Sequence, residues 1–254
     1  MNENKKISLI DGSGFIFRAY YALPPLSSKN GTPIGAVLGF CNMLFKLIQE
    51  KESDKVIVVF DTAKKTFRNT IYEAYKANRG APPEDLIPQF DIIREAVDAF
   101  EITRVELKGY EADDLIATYA NFFSSKNWEV EIISSDKDLM QLVKKNITMK
   151  DPIKGKVIKK DEVFEKFGVF PEKVIDVQSL AGDSVDNIPG APGIGIKTAA
   201  LLVNEFGSLD EILKNFYKIK QNKRREAIEN NIENINISKK LVELKSNLEI
   251  DINI

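Results

Sequence analysis

Two periods of hydrophobicity alternate along the first two thirds of the chain. Residues 7–10 (Ile-Ser-Leu-Ile) form a short apolar run of buried-strand type that ends in Asp11. Between 35 and 49, Val37, Leu38, Phe40, Met43, Leu44, Leu47 and Ile48 recur at helical spacing. Residues 56–60 (Val-Ile-Val-Val-Phe) are the clearest strand in the chain and end in Asp61. A helix is predicted over 88–100. Residues 102–107 alternate like a strand and lead through Gly109 to Glu111, Ala112, Asp113 and Asp114, where the apolar run Leu115, Ile116, Ala117 starts an amphipathic helix. Residues 129–133 read as a further strand, followed by Asp136 and Asp138.

Four strand-like runs separated by helices predict a mostly parallel α/β sheet. Each run is followed by acid at its carboxyl end. Ligands of open α/β sheets bind outside that end, so a parallel arrangement gathers Asp11, Asp61, Glu111, Asp113, Asp114, Asp136 and Asp138 along one edge. Acids are common in loops after strands, and one or two would signify nothing. Acid at all four ends, clustered at two of them, exceeds what loop composition supplies.

Beyond Asp138 the pattern predicts a short helix over 139–143 and a hairpin of 147–149 with 156–158. A helix over 161–167 is closed by Gly168, and another is opened by Pro171 and runs to about 181. The character then changes. Asp183 and Asp186 lie three apart, and a glycine-rich turn (Gly190, Gly193, Gly195) enters a helix through Lys197 and Thr198. Ser208 and Glu211 make a capping box, two more helical stretches follow, and 248–254 reads as an extended strand. The predicted division is an α/β domain over 1–170 and a small helical domain over 171–254.

Composition narrows the chemistry. The 254 residues contain one cysteine and no histidine. That removes Ser-His-Asp and Cys-His sites, an imidazole base and a Cys/His zinc site. Lone Cys41 excludes an internal disulfide, in keeping with a reducing cytoplasm. The polar start is no signal peptide, and nothing approaches a membrane span. A net charge of −2 argues neither for nor against nucleic acid, so the distribution of charge matters more.

Around Glu111 three acids open one helix. One acid there suits the macrodipole, but that is worth only about 0.3–1 kcal/mol per charge, and three acids at one end repel. Something positive should compensate them, and an oxygen-ligated divalent metal is the simplest candidate. With Asp183 and Asp186 the total is nine acids without histidine, a donor set for Mg2+ or Mn2+. Two ions would serve an in-line phosphoryl transfer and supply the nucleophilic water. The glycine turn is not a Walker A motif. It reads equally as a tight inter-helix turn or as a grip on a phosphate backbone. Lys64, Lys65, Arg68, Lys76 and Arg79 interleave with Phe67, Tyr72 and Tyr75. That pattern alone suits single-stranded nucleic acid or a solvated helix about equally, and its position directly after Asp61 favours DNA contacts from Lys64, Lys65, Arg68 and Tyr75. Arg18 follows Asp11 closely enough to meet a phosphate, or is one more surface arginine; 218–225 is a further basic cluster of lower specificity.

Together these residues resemble the 5′ nuclease (flap endonuclease) family, specifically the 5′–3′ exonuclease domain of bacterial DNA polymerase I. The matching segments occur in the family's order. They are Ile10-Asp11-Gly12, Val59-Phe60-Asp61, residues 75–79 (Tyr-Lys-Ala-Asn-Arg), 109–114 (Gly-Tyr-Glu-Ala-Asp-Asp), 135–138 (Ser-Asp-Lys-Asp), 182–190 and 193–199. The resemblance implies a PIN-like α/β nuclease core with a helical arch at about 62–98, then a helix–three-turn–helix subdomain. It implies a first metal held by Asp11, Asp61, Glu111, Asp113 and Asp114, and a second by Asp136, Asp138, Asp183 and Asp186, directly or through water. It makes Lys76 the active-site lysine with Arg79 beside it. Tyr75 stacks on a base or supports Lys76, and Arg18 touches the scissile-side phosphate. By the same resemblance the turn from Gly190 to Lys197 would hold the duplex, and in the family it often carries K+. The implied partner is DNA with a 5′ flap or a nicked or branched duplex, met by a cytoplasmic monomer, and the chain is continued in some proteins by a polymerase.

Two readings compete. A non-catalytic branched-DNA-binding paralogue would lack some carboxylates, and all nine are present. A haloacid-dehalogenase-like phosphatase needs Asp-x-Asp after its first strand, where this chain has Asp11-Gly12-Ser13.

Overall fold

A computed structural model describes residues 5–50, 52–62 and 65–251. Lys64 and the end of the predicted strand over 248–254 lie outside these residues.

The alternation of β1 (Lys6–Asp11) decides the layering. Ile7 and Leu9 face one side of the sheet and Ile10 the other, all without exposed surface. β1 pairs in parallel with β2 (Lys55–Val59) and with β4 (Glu129–Ile133). β3 (Thr103–Val105) extends the sheet beyond β2, and β5 (Ile147–Lys150) extends it beyond β4, both in parallel. β6 (Val157–Ile158) closes the edge in antiparallel register with β5. The order β3-β2-β1-β4-β5-β6 means that the chain winds outward from β1, then returns to build the other half from β4. The carboxyl ends of β1 and β4 therefore flank the switch point, where open sheets leave a crevice.

Helices cover both faces. α1 (Gly12–Ala22), α2 (Gly35–Glu50) and α4 (Gln89–Ala99) bury Phe15, Ile16, Phe40, Leu44, Ile93 and Val97 against Ile10, Val58 and Ile133. Each such side chain contributes about 1.5–3 kcal/mol by leaving water. On the opposite face α5 (Ala112–Ser125) lays Leu115, Ile116, Tyr119 and Phe123 over Ile7, Leu9, Ile57 and Val130. That cluster continues without a break into α6 (Lys160–Phe167), α7 (Val174–Ala181), α8 (Ile196–Phe206), α9 (Leu209–Asn215), α10 (Asn222–Glu229) and α11 (Ile232–Val242), through Val163, Val174, Leu180, Val203, Ile212, Ile228 and Ile235. The helical half thus shares its core with the sheet instead of enclosing one of its own.

The predicted strands and helices are present with ends shifted by a residue or two. Residues 139–143 form a 3₁₀ turn over Asp138–Leu142, and residues 248–251 form no strand. Of the segment expected as a helical arch, 62–98, the described residues hold a five-residue helix, α3 (Phe67–Ile71), turns over 73–78 and 84–88, and α4, which belongs to the core. Gly80 with Pro82 and Pro83 interrupts any helix there.

Candidate active site

The strand ends deliver their acids to one place. Asp11 ends β1 and caps α1: its Oδ1 accepts from the Gly14 N–H at 2.8 Å and its Oδ2 from the Ser134 hydroxyl at 2.8 Å. Asp61 follows β2, and its Oδ1 accepts from the Ala112 N–H at 2.7 Å, which ties it to the start of α5. Asp136 follows β4 and accepts from the Asp138 N–H at 2.9 Å. Asp138 is steadied by the Gln178 amide from α7. Asp11, Asp61, Glu111, Asp113, Asp136, Asp138 and Asp186 line a single cleft of about 170 Å3, together with Lys76 and Arg79. A larger cleft of about 710 Å3, around Lys144 and Phe170, holds none of these residues.

The nine acids divide by their partners. Four have side-chain cations: Asp114 with Arg68, Glu111 with Lys76 at 3.0 Å, Asp186 with Arg79, and Asp183 with Lys137. Among the described residues Asp11, Asp61, Asp113, Asp136 and Asp138 have none, and Asp113 accepts no hydrogen bond either. Lys76 acts on Asp113 and Lys137 on Asp138 only at longer range, so repulsion within this second group is balanced in part. Burial first, then Asp61 and Asp136, push the Asp11 carboxyl up to about 6 against its hydrogen bonds. Burial and Asp136 push Asp138 up to about 6 as well. Asp113 is driven well above the usual carboxylate range by burial and by Asp136 and Asp11. Opposite them burial works against the Lys76 charge, yet Glu111 and Asp186 hold its ammonium well above the ordinary lysine range.

These five oxygen donors fit a hard divalent cation in chemistry. No group of three or more acids is already placed to hold an ion among the described residues. Carboxylates balanced only in part repel, and Mg2+ in any case takes one or two carboxylates and keeps several waters.

The raised carboxylates give the metal-free protein an unusual pH response. Between about pH 7 and pH 5 the folded state takes up protons at Asp11 and Asp138 that the unfolded chain, with ordinary carboxylates, does not. Stability therefore rises as pH falls through this window. Thermal melts in EDTA should show a higher midpoint at the acid end, and saturating Mg2+ should abolish the difference. A midpoint that falls on acidification would mean that the acids are not crowded.

Several assignments made from sequence are corrected. Asp114 is fully buried, and its two oxygens accept from both Arg68 guanidinium nitrogens at 2.7 and 2.9 Å and from the Lys245 and Glu111 N–H groups. These four bonds occupy its oxygens, and it is not among the residues that line the cleft. Arg68, 1% exposed, is no DNA contact. Tyr75 is buried and donates its hydroxyl to Glu111 at 3.2 Å, with the Lys76 ammonium 5.0 Å from its ring centre. Of its two expected roles the structure leaves the support of Lys76. Gly190 is buried at φ +55°, and its N–H donates to the Ser238 hydroxyl. A Cβ there would stand 2.4 Å from the Gly182 nitrogen, so this glycine serves close chain packing and not a phosphate. Asp183 stands back from the cleft on Lys137. Arg18 is not among the residues that line the cleft; it donates to the Ser135 hydroxyl at 2.7 Å and lies 4.0 Å from Asp151. Gly193, Gly195 and Lys197 are exposed, with Thr198 half-buried, around the start of α8, and Lys65 is exposed just before α3.

Three residues went unread in the sequence. The Ser13 hydroxyl accepts from the Asp61 N–H at 3.0 Å. Gly14 is required because a Cβ would lie 2.4 Å from Asp11 Oδ2. The odd pair after Asp11-Gly12 was the available signal for both. Gln178 carries no signal at all, being one polar residue in a helix.

Residues 6–168 match the family described as 5'-3' exonuclease, N-terminal resolvase-like domain, and residues 169–254 match 5'-3' exonuclease, C-terminal SAM fold. The chain is 53% identical over 262 residues to DNA polymerase I of Rhizobium leguminosarum, across all of this chain and 26% of that protein. It spans about a quarter of that relative's length. It is 43% identical over 248 residues to a 5'-3' exonuclease of Aquifex aeolicus (strain VF5), across 98% of this chain and 84% of that one. In fold it is similar to the bacteriophage T5 D15 flap endonuclease, solved with DNA and metal ions, with a TM-score of 0.80 at 22% identity over 95% of this chain and 90% of that chain. Matched over both halves, and over nearly its whole length similar to an exonuclease, this chain belongs to the 5′-3′ exonuclease family of nucleases.

Proposed function

We propose that this chain is a structure-selective 5′–3′ exonuclease and 5′-flap endonuclease. It hydrolyses DNA phosphodiesters near single-strand/duplex junctions, with two divalent ions, for primer removal and repair. The observation that carries the reading is the cleft in which five carboxylates, without an ion-pair partner among the described residues, face Lys76 and Arg79.

Asp11, Asp61 and Asp113 on the β1–α5 side, and Asp136, Asp138 and Asp186 on the other, are the residues that would hold Mg2+ or Mn2+. The ions would activate water and neutralise the charge developing on the phosphate. The chain's own part is to place the ester. Arg79, half-exposed, leaves Asp186 for a phosphate oxygen, and Lys76 stays over Glu111 to meet the same group. Water then forms the new P–O bond, the in-line P–O bond to the leaving nucleotide breaks, and the leaving oxygen takes up a proton. The exposed start of α8, with Gly193, Gly195, Lys197 and Thr198, offers backbone N–H groups to the duplex phosphates, and K+ on the turn's carbonyls belongs to the same proposal. The protein acts as a cytoplasmic monomer, followed in polymerase I-type relatives by a polymerase region. No helix among the described residues is long and apolar enough to cross a membrane.

The test is a 5′-flap duplex labelled at the flap end, incubated with EDTA, Mg2+ or Mn2+, beside Asp186→Asn. Metal-dependent release of short 5′ fragments, slowed at least about 10²-fold by the substitution, is expected. Tight flap binding with no cleavage under either ion would instead establish a binding module.

A further inference from the structure

Lys76 holds an unusual backbone conformation. Its φ is +55°, in the left-handed region, and a lysine has neither glycine's freedom nor asparagine's local hydrogen bonding to favour it. Such a conformation persists where the surroundings fix it, and this is a reason to ask what fixes it.

The answer lies across a seam between two loops that sequence analysis treated separately. The Lys76 N–H donates to the Asp186 carbonyl at 2.9 Å. The carbonyl of Tyr75 accepts from the Asn69 amide at 3.1 Å, and that of Ala74 accepts from the Asn187 amide at 2.7 Å. The Asn78 amide donates back to the Ser184 carbonyl at 2.8 Å. Asn187 itself sits at φ +55°. Its side chain is thus aimed at the turn that carries Lys76 while its own peptide follows Asp186. The consequence is at the ammonium: Lys76 Nζ lies 3.0 Å from Glu111 and 3.8 Å from Asp186. Without the seam a lysine on a turn has a long flexible stem and no reason to remain over the acids.

We propose that Asn187 is a positioning residue for cleavage. Its side-chain amide holds the turn at residues 74–76 in the one conformation that keeps Lys76 over the acidic cleft. The role rests on the functional reading above, through Lys76.

Asn187→Gly separates this role from backbone tolerance, because glycine accepts φ +55° freely but has no amide. The variant should keep its melting midpoint to within a few degrees and its KM for a 5′-flap duplex. Its kcat should fall about 10²-fold, the loss typical of a group displaced by an ångström. Hydrogen exchange of the amides at 74–79 should accelerate. In a Lys76→Ala background the same substitution should cost no further kcat, since residues acting through one group are not additive. Parental kcat in Asn187→Gly overturns the proposal. So does an equal loss with and without Lys76, exchange at 74–79 that stays as slow as in the parent, or a loss of stability alone with full kcat in the folded fraction. If the parent protein cuts no flap, the functional reading fails; the exchange measurement still reports whether Asn187 holds the turn.

Discussion

Asp113→Asn is expected to slow flap cleavage by about 10³-fold, equivalent to about 4 kcal/mol of transition-state stabilisation, while raising the melting midpoint of the metal-free protein. The two effects have one cause. Asp113 lies in the first turn of α5, half-buried beside Asp136, Asp11 and Glu111, and among the described residues it has no ion-pair partner and no hydrogen-bond donor, Lys76 acting on it only at longer range. In the absence of metal its charge is a cost: burial and three neighbouring anions favour the protonated acid, and the isosteric amide removes the repulsion. With DNA and metal the same charge is the reason the site works, and the amide withdraws it. Opposite movement of stability and activity is what distinguishes a ligand from a structural residue, since loss of a structural residue lowers both. Differential scanning fluorimetry in EDTA, read beside single-turnover cleavage in Mg2+, measures the pair. A variant that is both less stable and less active would place Asp113 in the fold instead of the chemistry.

Much of this site was legible because its signal was local. A run of β-branched residues ending in acid, read four times, located Asp11, Asp61, the cluster after Gly109, and Asp136, and the parallel pairing of β1, β2, β3 and β4 brought their ends together. What was not legible was which acid answers to which cation. Glu111, Asp113 and Asp114 look alike in sequence, and three acids at one helix end called for a metal. In the fold two of the three already have protein partners, Lys76 and Arg68, contributed by a segment some forty residues earlier. Arg68 was read with Lys65 and Phe67 as a nucleic-acid contact because the basic and aromatic pattern does not say which side chain turns inward. The course of the segment expected as an arch was hidden for a similar reason: residues 72–79 are held by loop-to-loop hydrogen bonds from Asn78 and Asn187, and such bonds have no period in sequence. The helical half matches a family model of its own from residue 169, but the core it shares with the sheet was not legible, because apolar spacing on α7 and α11 gives a buried face and not the partner it is buried against.

The fate of Arg68 gives the largest stability effect. Its guanidinium is 1% exposed and pairs with both oxygens of Asp114. Nε donates to the Leu241 carbonyl at 2.7 Å, and the group lies 4.7 Å from the Phe67 ring centre. One side chain thus joins α3, the start of α5 and the end of α11. Arg68→Met keeps much of the volume but strands the Asp114 carboxylate in the core, and breaking a buried pair from one side costs about 3–5 kcal/mol. For a chain of this size that lowers the melting midpoint by about 10 °C. Adding Asp114→Leu removes the stranded charge and should recover most of the loss, because an apolar pair of similar volume is often neutral. Equilibrium binding of a 5′-flap duplex, measured in Ca2+ at a temperature where both variants are folded, should be unchanged, since Arg68 borders the cleft with only 1% of its surface exposed and its guanidinium is taken up by Asp114 and the Leu241 carbonyl. A midpoint within about 2 °C of the parent, together with weakened flap binding, would return Arg68 to the nucleic-acid interface and make Asp114 available to a metal. The double variant decides between the two accounts: a buried staple is rescued by removing its partner, and a lost phosphate contact is not.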